Sequence, residues 1–258
     1  MACADVTSAN VVGYSTIKIE SQYQIIGVNF LNVDGGELAL NDAIPYQDGM
    51  TKGNGVGTAD QIQIGDTEGS WVPYYLSNGL NNKGKVVTPS IDGLWCKGGE
   101  YVKSTVTLKA GDSFWYIRKD ATKPAFNISI AGSVSTLPEA DYQFASKYRI
   151  FSNPYAAPLS LNDNFVYDEK TMTKGNGVGT ADQIQIGDTE GSWVPYYLSN
   201  GLNNKGKVVT PSIDGLWCKG GEYVNANASI PVGKAAWYIR KDETKDPIQV
   251  KFVRPYDL

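Results

Sequence analysis

Six carboxylates stand in two matching clusters, Asp60, Asp66 and Glu68, then Asp182, Asp188 and Glu190. Carboxylates and loop carbonyls together suit a hard cation such as calcium. Their spacing fits neither an EF-hand loop nor a Gly-Asp repeat, so they read as solvated hairpin carboxylates, with no metal and no cofactor implied. Gly53-Asn54-Gly55-Val56-Gly57-Thr58 has the look of a phosphate loop. It lacks the Lys-Ser/Thr ending and the dinucleotide spacing, and no strongly helical segment follows to supply a dipole. It reads as a flexible hairpin loop. Histidine is absent, which removes the common catalytic triads and most zinc sites. A carboxylate pair could still hydrolyse a glycoside, but no spacing selects one. The chemistry on offer predicts a protein that is not an enzyme.

The aromatic side chains are the better candidates for a site. Trp71, Tyr74, Tyr75, Trp95, Tyr101, Trp115 and Tyr116 recur as Trp193, Tyr196, Tyr197, Trp217, Tyr223, Trp237 and Tyr238. Neighbours in a strand point to opposite faces, so one of each adjacent pair is expected in the core and the other at a surface. A flat ring with a polar tip suits a sugar or another protein. Trp71, Tyr74, Tyr75, Trp193, Tyr196 and Tyr197 are the candidate ligand or interface aromatics. The thiols are Cys3, Cys96 and Cys218. A buried free thiol is one reading of them. Bonding between subunits is the other, since an odd count in an exported chain suggests intermolecular pairing.

The elements that carry these residues are organised by a duplication. Met50–Val102 and Met172–Val224 are identical over 53 residues at an offset of 122. The match continues, with changes, into Phe114–Asp120 against Ala236–Asp242 and into Leu38–Asp42 against Leu159–Asp163. A fixed period sets the architecture. The chain is therefore read as all-β, two tandem β-sandwich-like domains related by an internal repeat of about 122 residues. The expected division is an N-terminal extension (1–10), a first domain (11–131) and a second (132–258). Short β-type runs lie between turn formers such as Asp48-Gly49, Asn78-Gly79 and Asp92-Gly93, which tolerate positive φ. Pro73 demotes Trp71–Leu76 to an edge strand or a bend, Lys85–Thr88 reads as a strand, and short helical turns are expected at Leu38–Ala43 and Leu159–Asn164.

Composition excludes several classes. Hydrophobic residues make up 41% and charged residues 19%, which fits a globular chain. A net charge of −4 gives no footprint for nucleic acid. No apolar run approaches the roughly 20 residues of a membrane-spanning helix. Ala2-Cys3-Ala4 has the form of a signal-peptidase site, and the chain is expected to be extracellular or at the cell surface.

Asp5–Tyr14 resembles the mature start of a family of secreted bacterial β-rich surface-repeat proteins. Tyr148-Arg149-Ile150-Phe151-Ser152-Asn153-Pro154-Tyr155 looks like a recurring strand of such repeats, and Ala110–Tyr116 looks like a later one. The second copy departs from that pattern at Gly233–Tyr238. The resemblance implies export and an all-β fold, and assigns no functional residue. Together these readings predict an extracellular structural protein that associates with itself, head to tail, into a fibre or surface layer. Val11, Ile17 and Ile19 at one end and Ile248, Val250 and Phe252 at the other are the candidate assembly strands, with the internal junction approximating the contact between molecules. Residues 1–10 would lie along the neighbouring subunit. The alternative is a carbohydrate-binding or adhesive module that uses exposed Trp and Tyr on glycans.

Overall fold

The computed structural model describes residues 11–65, 70–187 and 192–257. It is all-β, apart from one four-residue helix among the described residues. The first half supplies β1 (Val12–Ile19), β2 (Tyr23–Gly27), β3 (Leu38–Ala39), α1 (Leu40–Ala43), β4 (Gln61–Gly65), β5 (Trp71–Leu76), β6 (Trp95–Lys97), β7 (Thr107–Leu108), β8 (Ser113–Ile117) and β9 (Phe126–Ser133). The second half supplies β10 (Glu139–Phe144), β11 (Tyr148–Ser152), β12 (Leu159–Ser160), β13 (Phe165–Val166), β14 (Gln183–Gly187), β15 (Trp193–Leu198), β16 (Trp217–Lys219), β17 (Ser229–Ile230), β18 (Ala235–Ile239) and β19 (Ile248–Val253).

Each half has a five-stranded antiparallel sheet, ordered β2-β8-β4-β5-β6 in the first and β11-β18-β14-β15-β16 in the second. A smaller sheet faces it, β1-β9 in the first half and β10-β19-β13 in the second. Alternation in the sequence explains the layering. Ile17 and Ile19 of β1, and Ile128 and Ile130 of β9, point inward onto Ile26, Phe114, Tyr116 and Trp95 of the larger sheet. In the second half Val250 and Phe252 meet Phe151, Tyr238 and Trp217 in the same manner. The far face of each large sheet holds a second small core, made in the first half by Ala59, Tyr75, Ile91 and Cys96.

Several sequence expectations are corrected here. Pro73 lies in β5, an inner strand between β4 and β6. The site tolerates proline because β6 ends at Lys97, opposite Tyr74. Pro73 therefore faces no ladder acceptor, and only its carbonyl is used, by the Gly98 N–H at 2.8 Å. Lys85–Thr88 forms no strand; Val86 makes a single bridge to Leu80. Leu159–Asn164 is a short strand running into a turn, because β12 pairs with β17 there. β9 runs through the expected domain boundary, and the connection is residues 134–138.

Asp60 organises the first half. It is 1% exposed, so its carboxylate must be fully paired to be tolerated. It accepts from the Lys119 N–H at 2.7 Å, the Tyr116 hydroxyl at 2.8 Å and the Thr51 N–H at 3.0 Å. Asp182 repeats the arrangement with Lys241, Tyr238 and Thr173, at 2.6, 2.9 and 2.9 Å. Burial holds the Asp182 carboxyl above its ordinary range, against the three donors that favour its charge. For a carboxyl raised in the folded state, this contribution to stability is full below the unfolded pKa and is lost as pH rises through the folded one.

Asp182→Asn turns an amide donor toward three donors. It is expected to cost about 2–4 kcal/mol, while Tyr238→Phe, which leaves both backbone donors in place, costs about 1 kcal/mol. Urea unfolding of the variants measures both, and an Asn variant as stable as the parent would show that the carboxylate is not the organising group.

Candidate functional site

The two halves meet through equivalent faces. Gly27 of β2 pairs with Ser113, and Ser152 of β11 pairs with Ala235, so Gly27 and Ser152 occupy the same place in their sheets. Gly111 and Gly233 are likewise equivalent, at the offset of 122. The Gly27 N–H donates to the Gly233 carbonyl at 3.0 Å, and the Ser152 N–H donates to the Gly111 carbonyl at 3.1 Å. This reciprocity is the mark of an isologous, two-fold-like contact. Ile25, Ile150, Ala235, Trp115 and Trp237 form a small apolar core between the halves. The connection is strapped down by the C-terminal residues. Arg254 donates to the carbonyls of Pro138 and Thr136, and the Tyr256 hydroxyl to that of Ser135.

A cleft of about 370 Å³ opens beside this junction. One wall is the end of β4 and β5, with Ile64, Gly65 and Trp71; the other is β11 with Tyr148, Arg149 and Ile150. Trp71 is 38% exposed and Tyr148 57%. The Trp71 ring crosses Gly65, where a Cβ would meet it at 3.6 Å. Asp112 and Ser113 line the cleft together with Tyr142 and Trp237. Burial pushes the Asp112 carboxyl above its ordinary range, although the Lys109 N–H donates to Oδ2 at 2.8 Å and Arg149 acts from nearby to lower it. The arrangement brings aromatic rings, the Arg149 side chain and a carboxyl together along one cleft.

The sequence-derived candidates divide sharply. Trp71 lines the cleft, and Trp193 is comparably exposed, at 37%, in the other half. Tyr74, Tyr75 and Tyr197 are buried and Tyr196 is half-buried. The expectation of one surface member per Tyr pair fails because both faces of β5 are covered. Tyr74 packs in the main core, and Tyr75 packs in the smaller one with its hydroxyl on the Glu100 carbonyl at 2.9 Å.

Cys96 and Cys218 are free and fully buried, one in each small core. Burial lifts the Cys96 thiol to about 11, and neither thiol can reach another subunit. Ile17, Ile19, Ile248, Val250 and Phe252 are buried in the cores of their own halves, because β1 pairs with β9 and β19 with β10. Of the assembly candidates only Val11, 51% exposed, faces solvent.

Asp60 and Asp182 are buried hydrogen-bond acceptors rather than solvated carboxylates. No group of three or more metal-ligating side chains gathers among the described residues. Cys3, the other four carboxylates of the clusters (Asp66, Glu68, Asp188 and Glu190) and residues 1–10 lie outside the described residues. The Gly53–Thr58 loop is pinned. The Gly53 N–H donates to Leu76, Asn78 returns a bond to Gly53, and a Cβ at Gly53 would lie 2.6 Å from the Thr58 backbone. No helix among the described residues is long and apolar enough to cross a membrane.

Sequence reasoning missed Tyr148, Arg149, Asp112 and Tyr142 as site residues. The available signal was comparison of the diverged flanks, where Arg149 stands opposite Gln24 and Asp112 opposite Lys234. Comparison with models of protein families, with curated proteins and with solved structures finds no match.

A Cβ at Gly27 would lie 2.5 Å from Ser152 Cβ and 2.6 Å from the Lys234 carbonyl. Gly27→Ala is therefore expected to part the halves, so that calorimetry resolves two unfolding transitions. Gly55→Ala, with open space around the new methyl, serves as the control. An unchanged transition in Gly27→Ala would mean that the junction does not couple the halves.

Proposed function

We propose that the chain is a carbohydrate-binding or adhesive protein whose ligand lies in the cleft between its halves. The observation that carries this reading is the exposed Trp71 face set across the cleft from Tyr148 and Arg149. A cleft of about 370 Å³ falls within the roughly 300–1,000 Å³ range of small-ligand sites. Aromatic faces give a sugar ring an apolar platform, while polar tips and charged groups read its hydroxyls. The Ala2-Cys3-Ala4 sequence and the resemblance to secreted surface repeats support action outside the cell.

Glycan-array screening followed by calorimetry tests the reading. Trp71→Ala is expected to weaken the bound glycan roughly tenfold, about 1.4 kcal/mol. Trp193→Ala, in the other half, is expected to leave most of the affinity. Absence of binding to every glycan would reject the reading.

Self-association into a fibre or surface layer is the second reading, and a different observation favours it. Val12 and Tyr14 are 66% and 75% exposed on the outer face of β1, next to exposed Val11. The internal junction does not supply a template for head-to-tail growth, because an isologous contact closes on itself. Any assembly would use this outer strand face instead. Sedimentation at high concentration is expected to show higher species that Tyr14→Lys abolishes; a strictly monomeric parent would exclude assembly.

A further inference from the structure

The smaller sheets of the two halves differ by one strand. In the second half β19 is paired on both sides, by β10 and by β13, whereas in the first half β9 is paired only by β1. The sequence explains the missing strand. Asn41-Asp42-Ala43-Ile44-Pro45-Tyr46 corresponds to Asn162-Asp163-Asn164-Phe165-Val166-Tyr167, so Pro45 stands where Val166 pairs with Lys251. Proline has no N–H to give to a ladder. Ile44 keeps the buried place of Phe165, but the strand that would cover β9 is not made.

The backbone of β9 is left with an open edge. Ser133 exchanges bonds with Leu31 on the side away from β1, its N–H donating at 2.8 Å and its carbonyl accepting at 3.0 Å. Backbone groups of alternate residues point to the same side, so those of Asn127, Ser129 and Ala131 face this edge too. Among the described residues no strand pairs with them there, and all three residues are exposed. Open edges are commonly blunted by a lysine, a proline or a bulge. Phe126–Ser133 has no charge and no proline, and it pairs with β1 residue for residue, without a bulge. In β19 the place of Ser129 is held by Lys251, on an edge that β13 already covers.

We infer that β9 pairs edge to edge with β9 of a second copy, antiparallel and centred on Ser129, so that one sheet runs across both molecules. The occupant follows from the edge itself, which is complementary to its own copy. About a two-fold axis at Ser129, Asn127 comes opposite the partner's Ala131, Ser129 opposite the partner's Ser129, and Ala131 opposite the partner's Asn127. Each pair exchanges both backbone bonds, and no like charges face each other. Leu31 ends the pairing at Ser133, where the residue due is the partner's Ala125, which lies outside its strand. Such a contact is isologous and closes at a dimer. The inference rests on the self-association reading above, and adds the edge of the same sheet to the outer face of β1.

Sedimentation over a concentration series tests it on the full chain and on Ser129→Pro, Pro45→Val and Tyr14→Lys. The Ser129 N–H points away from β1, so a proline there removes no bond of the β1 ladder; thermal melts check that the variants fold. The parent is expected to dimerise, and Ser129→Pro to weaken the dimer at least tenfold. Pro45→Val, which returns the missing N–H to the chain's own third strand, should weaken it as well. Cross-linking gives a second readout. Bonded residues of an antiparallel pair lie about 5.5 Å apart between Cα atoms, within disulfide reach. Oxidised Ser129→Cys, made on a Cys3→Ser background, is therefore expected to give a reducible dimer that Cys3→Ser alone does not; Cys96 and Cys218 are buried. If the chain associates, loses this in Tyr14→Lys but keeps it in Ser129→Pro, and Ser129→Cys gives no cross-link, self-association stands and the edge contact is overturned. A monomeric parent with no cross-link in Ser129→Cys overturns both.

Discussion

The structure depends on a buried carboxylate in each half. Asp60 lies at the start of β4 and fastens three pieces of chain that are distant in sequence. These are the approach at Thr51, the core tyrosine of β8 and the exit from β8 at Lys119. Its own backbone completes the set, with Leu76 of β5 donating to its carbonyl at 3.1 Å and its N–H donating to Thr51 at 2.8 Å. A carboxylate out of water costs several kcal/mol, and three short charge-assisted bonds offset that cost only when all are in place. The network therefore specifies register as well as adding stability. A one-residue slip of β8 would move Tyr116 to the other face and leave the carboxylate short of a donor.

Arg118 completes the frame from the far end of β8. It is 2% exposed, and its guanidinium donates to the carbonyls of Glu20, Lys123 and Pro124. It thereby sets how the chain enters β2 and β9. Arg240 does the same with Ala145, Lys245 and Asp246. In both halves, one strand carries a tyrosine to the buried acid and an arginine to loop carbonyls. The arginine places β2 or β11 at the sheet edge, and those edges form the junction and one wall of the cleft.

Much of the fold was legible in the sequence. Short β-type runs between turn formers gave the all-β class, whereas Ile17, Ile19, Ile248, Val250 and Phe252, read as assembly strands, lie in the cores of their own halves. What escaped depends on contacts between distant segments. Asp60 looked like a hairpin acid because its burial is made by Thr51, Tyr116 and Lys119, none of them near enough in sequence to announce a pocket. The Tyr74-Tyr75 pair looked half exposed because alternation tells opposite faces but not whether loops cover the second one. The cleft was invisible for a related reason: its walls come from β4 and β5 of one half and β11 of the other.

The divergence of the flanks has a physical cause in the junction. Two separate copies meeting through an isologous face must carry the same residue on both sides. Two serines at the positions of Gly27 and Ser152 would bring their Cβ atoms to about 2.5 Å, far inside contact distance. One chain holding both halves is free of that identity. It places Gly27 on one side, which makes room for Ser152 on the other, whose hydroxyl then donates to the Asp112 carbonyl at 2.7 Å. The same freedom allows Gly111 to lie under Tyr142 while Gly233 lies against Ile17. Substitutions that would be incompatible in a symmetric pair become complementary in a covalent one. They accumulate in the floor of the cleft, while its wall of Ile64, Gly65 and Trp71 is the same in both copies.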